Sequence, residues 1–500
     1  MPKRLVILGG GTAGWMAANL FARKWSQEQV VVSLVESPDI GIIGVGEGST
    51  PTLKRFFEMI DVDDADWMPR CNATYKLNIR FSGWSPGSGI SSYSHPFVTQ
   101  VDMHTQHPFA ANCLSRRLGM DVHTQPDDFF LNGVLARQGK GPRTPDSFPF
   151  VVDYGYHFDS GLLGEYLAEL AVGRGVDHLQ KRIVDVELDD DGDIKALLSD
   201  GGDRLEGDFF VDCTGFASVL MQKTLGVEFR SFSSNLFNDS AVVMPTARDE
   251  SLQPETVSYA MSNGWCWKIP LTHRYGNGYV YSSDFVSDDA AESELRAFLG
   301  LLDSDAEARR LKMRVGQLDK HWYRNCIGLG LSQGFIEPLE ATALHLVQIS
   351  IELFIMKYEQ GGFGTEYRDE FNLKIRDRFE RVRDYIVAHY KLNTRDDSEY
   401  WKANRDNVAL SDSLRHILDV WYRRGDLTRE IQRQKIESHF GTLSWHCLLS
   451  GYGAYPPLRE DQSNASDIYR EKDVQKFLEG CSLNFRPHQE NLDASDATTL

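Results

Sequence analysis

The run Gly9-Gly10-Gly11-Thr12-Ala13-Gly14 has the spacing G-x-G-x-x-G. It can hold a dinucleotide only if a strand feeds it and a helix leaves it. Leu5-Val6-Ile7-Leu8 supplies the apolar strand, and 12–24 reads as the helix. Gly9 then makes the tight turn, Gly11 lets the backbone approach a pyrophosphate, and Gly14 lets helix and strand pack closely. The phosphates would rest on the free N–H groups at Thr12 and Ala13. Glu36 ends a second apolar strand, 22 residues beyond Gly14, where a carboxylate can grip ribose hydroxyls. A chance Gly-rich turn is the alternative, and strand, helix and acid in sequence argue against it. There is one such fingerprint, so the reading is one dinucleotide and no separate NAD(P)H domain.

Other residues could also do chemistry. In Gly264-Trp265-Cys266-Trp267-Lys268-Ile269-Pro270 the two tryptophans alternate onto one face of a strand. Core or edge aromatics would show the same pattern. Lys76 sits between Tyr75 and Leu77, and by itself reads as a snorkelling surface lysine. His104-x-x-His107 is the one close histidine pair considered for metal. No cysteine or carboxylate at ligand spacing joins it, so no metal site is expected. The seven cysteines form no Cys-x-x-Cys and are odd in number, which fits free thiols and a cytoplasmic setting.

The elements that must position these residues begin with β-α-β over the first 36 residues, the start of a parallel sheet. Segment 85–150 is rich in Gly, Pro, Ser, His and Asp and reads as long excursions with short elements. A helix is expected over 157–175, a hairpin from 181–188 and 194–199 around Asp191-Gly192, and a strand over 208–213. Segment 256–285 is β-rich, whereas 342–360, 366–392, 408–424 and 427–439 read as helices. The tail from Gln489 is polar and expected to be loose. The expected domains are 1–345, with inserted loops at about 85–150, a helical 346–488, and the tail 489–500.

Composition sets outer bounds. Apolar residues are 41% and charged residues 25%, which is globular. Against 72 acidic residues stand 53 lysines and arginines, a net charge of −19, so bulk charge will not draw nucleic acid or an anionic membrane. No run of eighteen apolar residues occurs, and the first apolar run is too short for a signal peptide.

With its G-x-G-x-x-G segment and W-x-W-x-I-P, the chain resembles the flavin-dependent halogenases of the tryptophan halogenase family. Further matching segments are Gly44-Val45-Gly46-Glu47, Ala73-Thr74-Tyr75-Lys76, Val211-Asp212-Cys213-Thr214-Gly215, Gly334-Phe335-Ile336-Glu337-Pro338-Leu339-Glu340, and Arg383 to Lys391. The resemblance spans roughly 4–457 and implies an α/β fold: an FAD-binding Rossmann fold like that of single-component monooxygenases, with mixed sheets and a mainly helical C-terminal subdomain. It implies FAD, used as FADH2, with O2 and chloride or bromide as co-substrates. A C4a-hydroperoxide would yield hypohalous acid, which reaches the arene through a tunnel.

By the same resemblance Lys76 would hold that oxidant or form a haloamine. Glu340 would polarise it, stabilise the cationic arene and take the ring proton. Glu337 reads as structural. Trp265, Trp267, Ile269 and Pro270 would shield the flavin from organic substrate. Gly46 and Glu47 would belong to a flavin strap, Leu331 and Leu344 would touch the flavin, and Val184 the adenine part. The halide is expected at backbone N–H groups of Thr342 and Ala343, near a helix start. The family's Ser-Thr-Gly after the glutamate is here Ala341-Thr342-Ala343.

His95, Phe97 and Phe440 match the aromatic residues that sandwich an arene. Family members acting on free tryptophan carry a Tyr pair and a Glu for its polar end. Here 420–440 offers Tyr422 alone, with Glu437 the nearest candidate for that Glu, which points to indole, a substituted indole, a tryptophan-containing peptide or another electron-rich arene. A separate, not necessarily specific, flavin reductase is implied, with a small aromatic substrate, no nucleic acid and no membrane; a homodimer is left open. The competing readings are an aromatic monooxygenase and a non-catalytic FAD-binding protein.

Overall fold

The structure is a computed structural model and describes all residues except 40, 42–45, 437–439, 463–465 and 497–500. Gly44, Val45 and Glu437 therefore lie outside the described residues. Two compact units interleave along the chain. The first comprises 1–72, 158–233 and 314–380; the second comprises 73–157, 234–313 and 381–500.

The first unit is built on a six-stranded sheet ordered Trp322–Tyr323, Cys326–Gly328, Phe209–Asp212, Lys3–Leu8, Val30–Glu36, Asp177–Gln180. All neighbours are parallel except the first pair. Lys3–Leu8 leads on one side to Val30–Glu36 and on the other to Phe209–Asp212, so chain order reverses at this strand. Crevices for ligands open at such reversals, beyond the strands' carboxyl ends. Buried apolar runs explain the parallel core, because helices cover both faces of such a sheet. Helix Thr12–Lys24 packs on helix Ala343–Gln360 through Phe21 and Phe354, ring centres 5.8 Å apart. The expected hairpin is present as Ile183–Leu188 against Ile194–Ser199.

The second unit is built on a seven-stranded sheet ordered Arg309–Lys312, Ser240–Thr246, Tyr275–Tyr281, Gly264–Pro270, Glu255–Met261, Asn78–Ser85, Ile90–Pro96. Pairings are antiparallel, except that Glu255–Met261 runs parallel to Asn78–Ser85. Strand Thr74–Lys76 pairs antiparallel with residues 155–157. Among the described residues, every regular element from Ala343 onward is a helix.

Three local expectations change. The helix expected from 157 is Ser160–Gly173, preceded by strand Gly155–Phe158. Asp159 decides the boundary: its carboxylate accepts the N–H groups of Gly161 and Leu162 at 3.0 and 3.3 Å, an N-cap. Within 85–150 the chain forms strand Ile90–Pro96 and a twelve-residue helix, Gln106–Arg117. The tail is not loose over its first part, which is helix His488–Asp496; Leu492 is buried there, and Asn491 Oδ1 accepts the Arg143 N–H at 3.0 Å.

Candidate active site

In the first unit, strands ending at Leu8, Asp212 and Gly328 deliver three loops to one edge of the sheet. Gly9 has φ +115°, and a Cβ there would lie 2.3 Å from the Cys213 carbonyl oxygen. A Cβ on Gly14 would lie 2.0 Å from the Gly9 oxygen, which is the close helix–strand packing expected of it. Around Gly11 nothing among the described residues comes within 4 Å of a Cβ position, which leaves that side of the turn room for a ligand's approach. Helix Thr12–Lys24 has no acidic residue in its first turn, and Gly11 as N-cap offers it no side chain, so its free N–H groups can donate to an anion.

Glu36 ends its strand over Gly10, and its Oε1 meets His178 Nε2 at 2.6 Å. His178 is steadied by an edge contact with Trp15 at 5.0 Å. This cradle fits the pyrophosphate and ribose of an adenine dinucleotide. Leu331 lies on the turn Gly330–Ser332, where a Cβ on Gly330 would stand 2.8 Å from the Ala13 methyl, so this turn lies against the dinucleotide loop. Val184 is 58% exposed on its hairpin strand. Glu47 follows Gly46, which has φ +78°. Burial pushes the Glu47 carboxyl up to about 7, the Ser160 hydroxyl opposes that rise, and nearby Asp159 adds to it.

Asp212 proves to be the clamp of its loop. Its Oδ1 accepts from Thr214 N and Oγ1 at 3.0 and 2.6 Å, and its Oδ2 accepts from Leu220 N and Met221 N, both at 2.8 Å. The third loop carries Glu337 and Glu340, both buried. Ser332 ties it to the Gly215 carbonyl at 3.1 Å, and Phe335 meets Phe216 at 5.6 Å. Ala341 follows with φ +55°, a left-handed backbone unusual for a residue with a Cβ. Thr342 is N-cap of helix Ala343–Gln360; its Oγ1 is buried with no partner among the described residues. Leu344 lies half-buried in the first turn of that helix.

In the second unit Lys76 is wholly buried, and its Nζ stands 5.6 Å from the centre of the Phe97 ring. Trp265 and Trp267 do share one face, ring centres 6.0 Å apart, and the Trp267 ring takes the space a Cβ on Gly278 would fill, 2.1 Å from it. Ile269 and Pro270 complete that buried strand. The Trp267 Nε1–H has no partner among the described residues. His95 approaches Phe440 at 6.3 Å and Tyr385 at 5.8 Å, while Tyr385 stacks on Phe440 at 3.7 Å. The structure thus joins His95 to Phe440 through Tyr385.

Tyr385 lies within the matching segment Arg383 to Lys391 and His157 at the start of the expected helix, so neither stands out as a site residue in the sequence. The run Tyr154-Gly155-Tyr156-His157-Phe158 does have a strand's composition. His104 and His107 recruit no further ligand: among the described residues no group of three or more His, Cys, Asp or Glu could hold a metal ion. Among them, too, no helix is long and apolar enough to cross a membrane.

Known proteins resemble this chain both in sequence and in fold. The tryptophan halogenase family model matches residues 4–467. Tryptophan 6-halogenase SttH of Streptomyces toxytricini is 36% identical over 445 residues, 84% of each chain. The 7-chloro-L-tryptophan 6-halogenase KtzR of Kutzneria sp. (strain 744) is 34% identical over 483 residues, 90% of each. The crystal structure of SttH superposes with a TM-score of 0.86 and covers 99% of both chains. Coverage of nearly the whole chain, by sequence and by fold, places this protein in the tryptophan halogenase family, among the flavin-dependent halogenases.

Proposed function

We propose that the chain is an FADH2-dependent enzyme that installs chlorine or bromine on an indole-bearing arene, with Lys76 and Glu340 as its catalytic residues. The observation that carries this is Lys76 itself. It lies wholly inside the protein beside the Phe97 ring, where a compact ammonium can meet a small oxidant away from solvent. FAD would be held by Gly9, Gly11, Thr12, Ala13, Gly14 and Glu36, with Gly46, Glu47, Val184, Leu331 and Leu344 as its further contacts. Bound FADH2, with O2 and halide, supplies hypohalous acid.

The chain's residues do the rest. Backbone N–H groups at Thr342 and Ala343, with the buried Thr342 hydroxyl, give halide donors at the start of an eighteen-residue helix. Trp265 and Trp267, with Ile269 and Pro270, wall off the organic substrate. The Lys76 ammonium donates a hydrogen bond to the oxidant, and Glu340 accepts the proton the arene loses. His95, Phe97 and Phe440 present aromatic surface to the substrate ring. With Tyr422 exposed and no Tyr pair present, recognition rests on the ring more than on an amino acid's polar end. FADH2 comes from a separate reductase, and any reductase would serve if FADH2 diffuses freely.

The test is mass spectrometry of an indole and tryptophan panel with FAD, a flavin reductase, NADH, O2 and chloride or bromide. A halogen isotope pattern that disappears in Lys76→Ala supports the reading. Oxygenated product independent of halide would replace it with a monooxygenase, and FAD binding without turnover of any arene would leave a binding protein.

A further inference from the structure

His157 is fully buried on the strand paired with the Lys76 strand, directly opposite Thr74. Paired strands present opposing residues on one face, and Thr74 and Lys76 alternate onto that same face. His157 and Lys76 therefore project together. Three hydrogen bonds run through this face. The Thr74 hydroxyl donates to the Pro270 carbonyl at 2.8 Å. His157 Nδ1 meets the Thr74 oxygen at 3.0 Å, and His157 Nε2 meets the Thr256 hydroxyl at 2.9 Å.

The directions follow by elimination. A threonine hydroxyl has one proton, and a proline carbonyl can only accept. Thr74 has spent its proton on Pro270, so its oxygen accepts from His157 Nδ1–H. In a neutral imidazole Nε2 then carries the lone pair, which accepts the Thr256 proton. The chain Thr256–His157–Thr74–Pro270 thus has one polarity from end to end. It links the Lys76 strand to Glu255–Met261 on one side and to the strand of Trp265 and Trp267 on the other.

We propose that His157, as the neutral Nδ1–H tautomer, is the positioning residue for Lys76, fixing the lysine strand against the strand that carries the tryptophan pair. This deepens the function proposed above and rests on Lys76 being the halogenating lysine. Burial disfavours an imidazolium there, and among the described residues Lys76 and His488 are the titratable groups that add to this. The residue touches neither substrate nor oxidant; it acts through Thr74.

Two measurements on the full chain test it. Histidine-selective 15N NMR, with His157 assigned by difference from His157→Asn, reads the tautomer. The expected spectrum shows protonated Nδ1 and bare Nε2, unchanged between about pH 5.5 and 8. A protonated Nε2 would overturn the proposal. In turnover, a catalytic group misplaced by an ångström loses up to about 100-fold. His157→Asn and the near-isosteric Thr256→Val should therefore lower kcat by about 10–100-fold with the arene KM and FAD binding near wild type. Halogenation of a soluble scavenger per FADH2 oxidised should rise at the same time. A merely structural role would lower all activities with the folded fraction and would not raise that leak. Wild-type coupling in both folded variants would overturn the proposal. Wild-type protein that halogenates nothing would sink the proposed function, and the NMR tautomer would still decide whether His157 fixes the lysine strand as proposed.

Discussion

Gly11 and Gly14 stand three residues apart in one motif, and the structure separates what a methyl group would do at each. At Gly14 the added Cβ would lie 2.0 Å from the Gly9 carbonyl oxygen, where ordinary contact begins at 3.4 Å. The obstacle is backbone, so helix Thr12–Lys24 must shift off its strand. Overpacking of this kind costs about 1–3 kcal/mol, and a backbone obstacle puts it at the upper end. At Gly11 the methyl would meet nothing within 4 Å among the described residues, and the backbone there is extended, φ −73° and ψ 175°, which alanine adopts freely. Gly11→Ala should leave stability within about 0.5 kcal/mol of wild type.

The same methyl points into the space a pyrophosphate needs. Losing the close approach should cost about 2 kcal/mol of binding, roughly a 30-fold rise in the FAD Kd. Titration of FAD by its fluorescence, beside thermal melts of both variants without FAD, makes the comparison. The expected result is a wild-type melt with weak FAD for Gly11→Ala, and a lowered melt for Gly14→Ala. Wild-type FAD affinity in Gly11→Ala would refute the placement of the pyrophosphate. An unaltered melt in Gly14→Ala would refute the packing argument.

Other outcomes follow from single features. Ala341→Gly should stabilise the fold by about 1 kcal/mol by relieving a left-handed alanine, seen as a raised denaturation midpoint; an unchanged or lowered midpoint counts against strain there. Asp212→Ala leaves four donors without their acceptor and should cost at least about 3 kcal/mol, read as a fall in melting temperature with loss of FAD binding; a wild-type melt would contradict the clamp. Stability should also fall as pH drops from 6.5 toward 5. His321, His446 and His488 are held by burial at about 3, 4 and 4, and His157 well below 6.5, so each stays neutral when folded and gains a proton on unfolding in that window. Burial raises Asp102 to about 6 and Glu47 to about 7, and these lose protons on unfolding, so four uptakes against two releases leave about two. Stability then changes by about 2.7 kcal/mol per pH unit, and a melting temperature flat from pH 6.5 to 5 would refute the assignment.

Much of the fold could be read in the sequence because its signals are local. The glycine spacing after an apolar run, the acid at the end of the next run and the hairpin turn at Asp191-Gly192 each depend on a few adjacent residues. So do the long apolar and amphipathic helices after Ala343. The family segments were likewise legible as contiguous words. What sequence could not supply was pairing between distant segments. The strand Gly155–Phe158 is four residues long, too short to announce itself, and exists because Thr74–Lys76 lies beside it. The tail helix His488–Asp496 forms on polar sequence because Leu492 and Asn491 find burial and a partner across 348 residues of chain. Tyr385 became a neighbour of His95 and Phe440 only by folding. The tautomer of His157 rests on three residues drawn from three other strands. Sequence determines the chemistry each residue can do and the local elements that carry it. Which side chains meet, and with which proton between them, is decided by long-range packing, because a hydrogen bond reaches about 3 Å in space and has no counterpart along the chain.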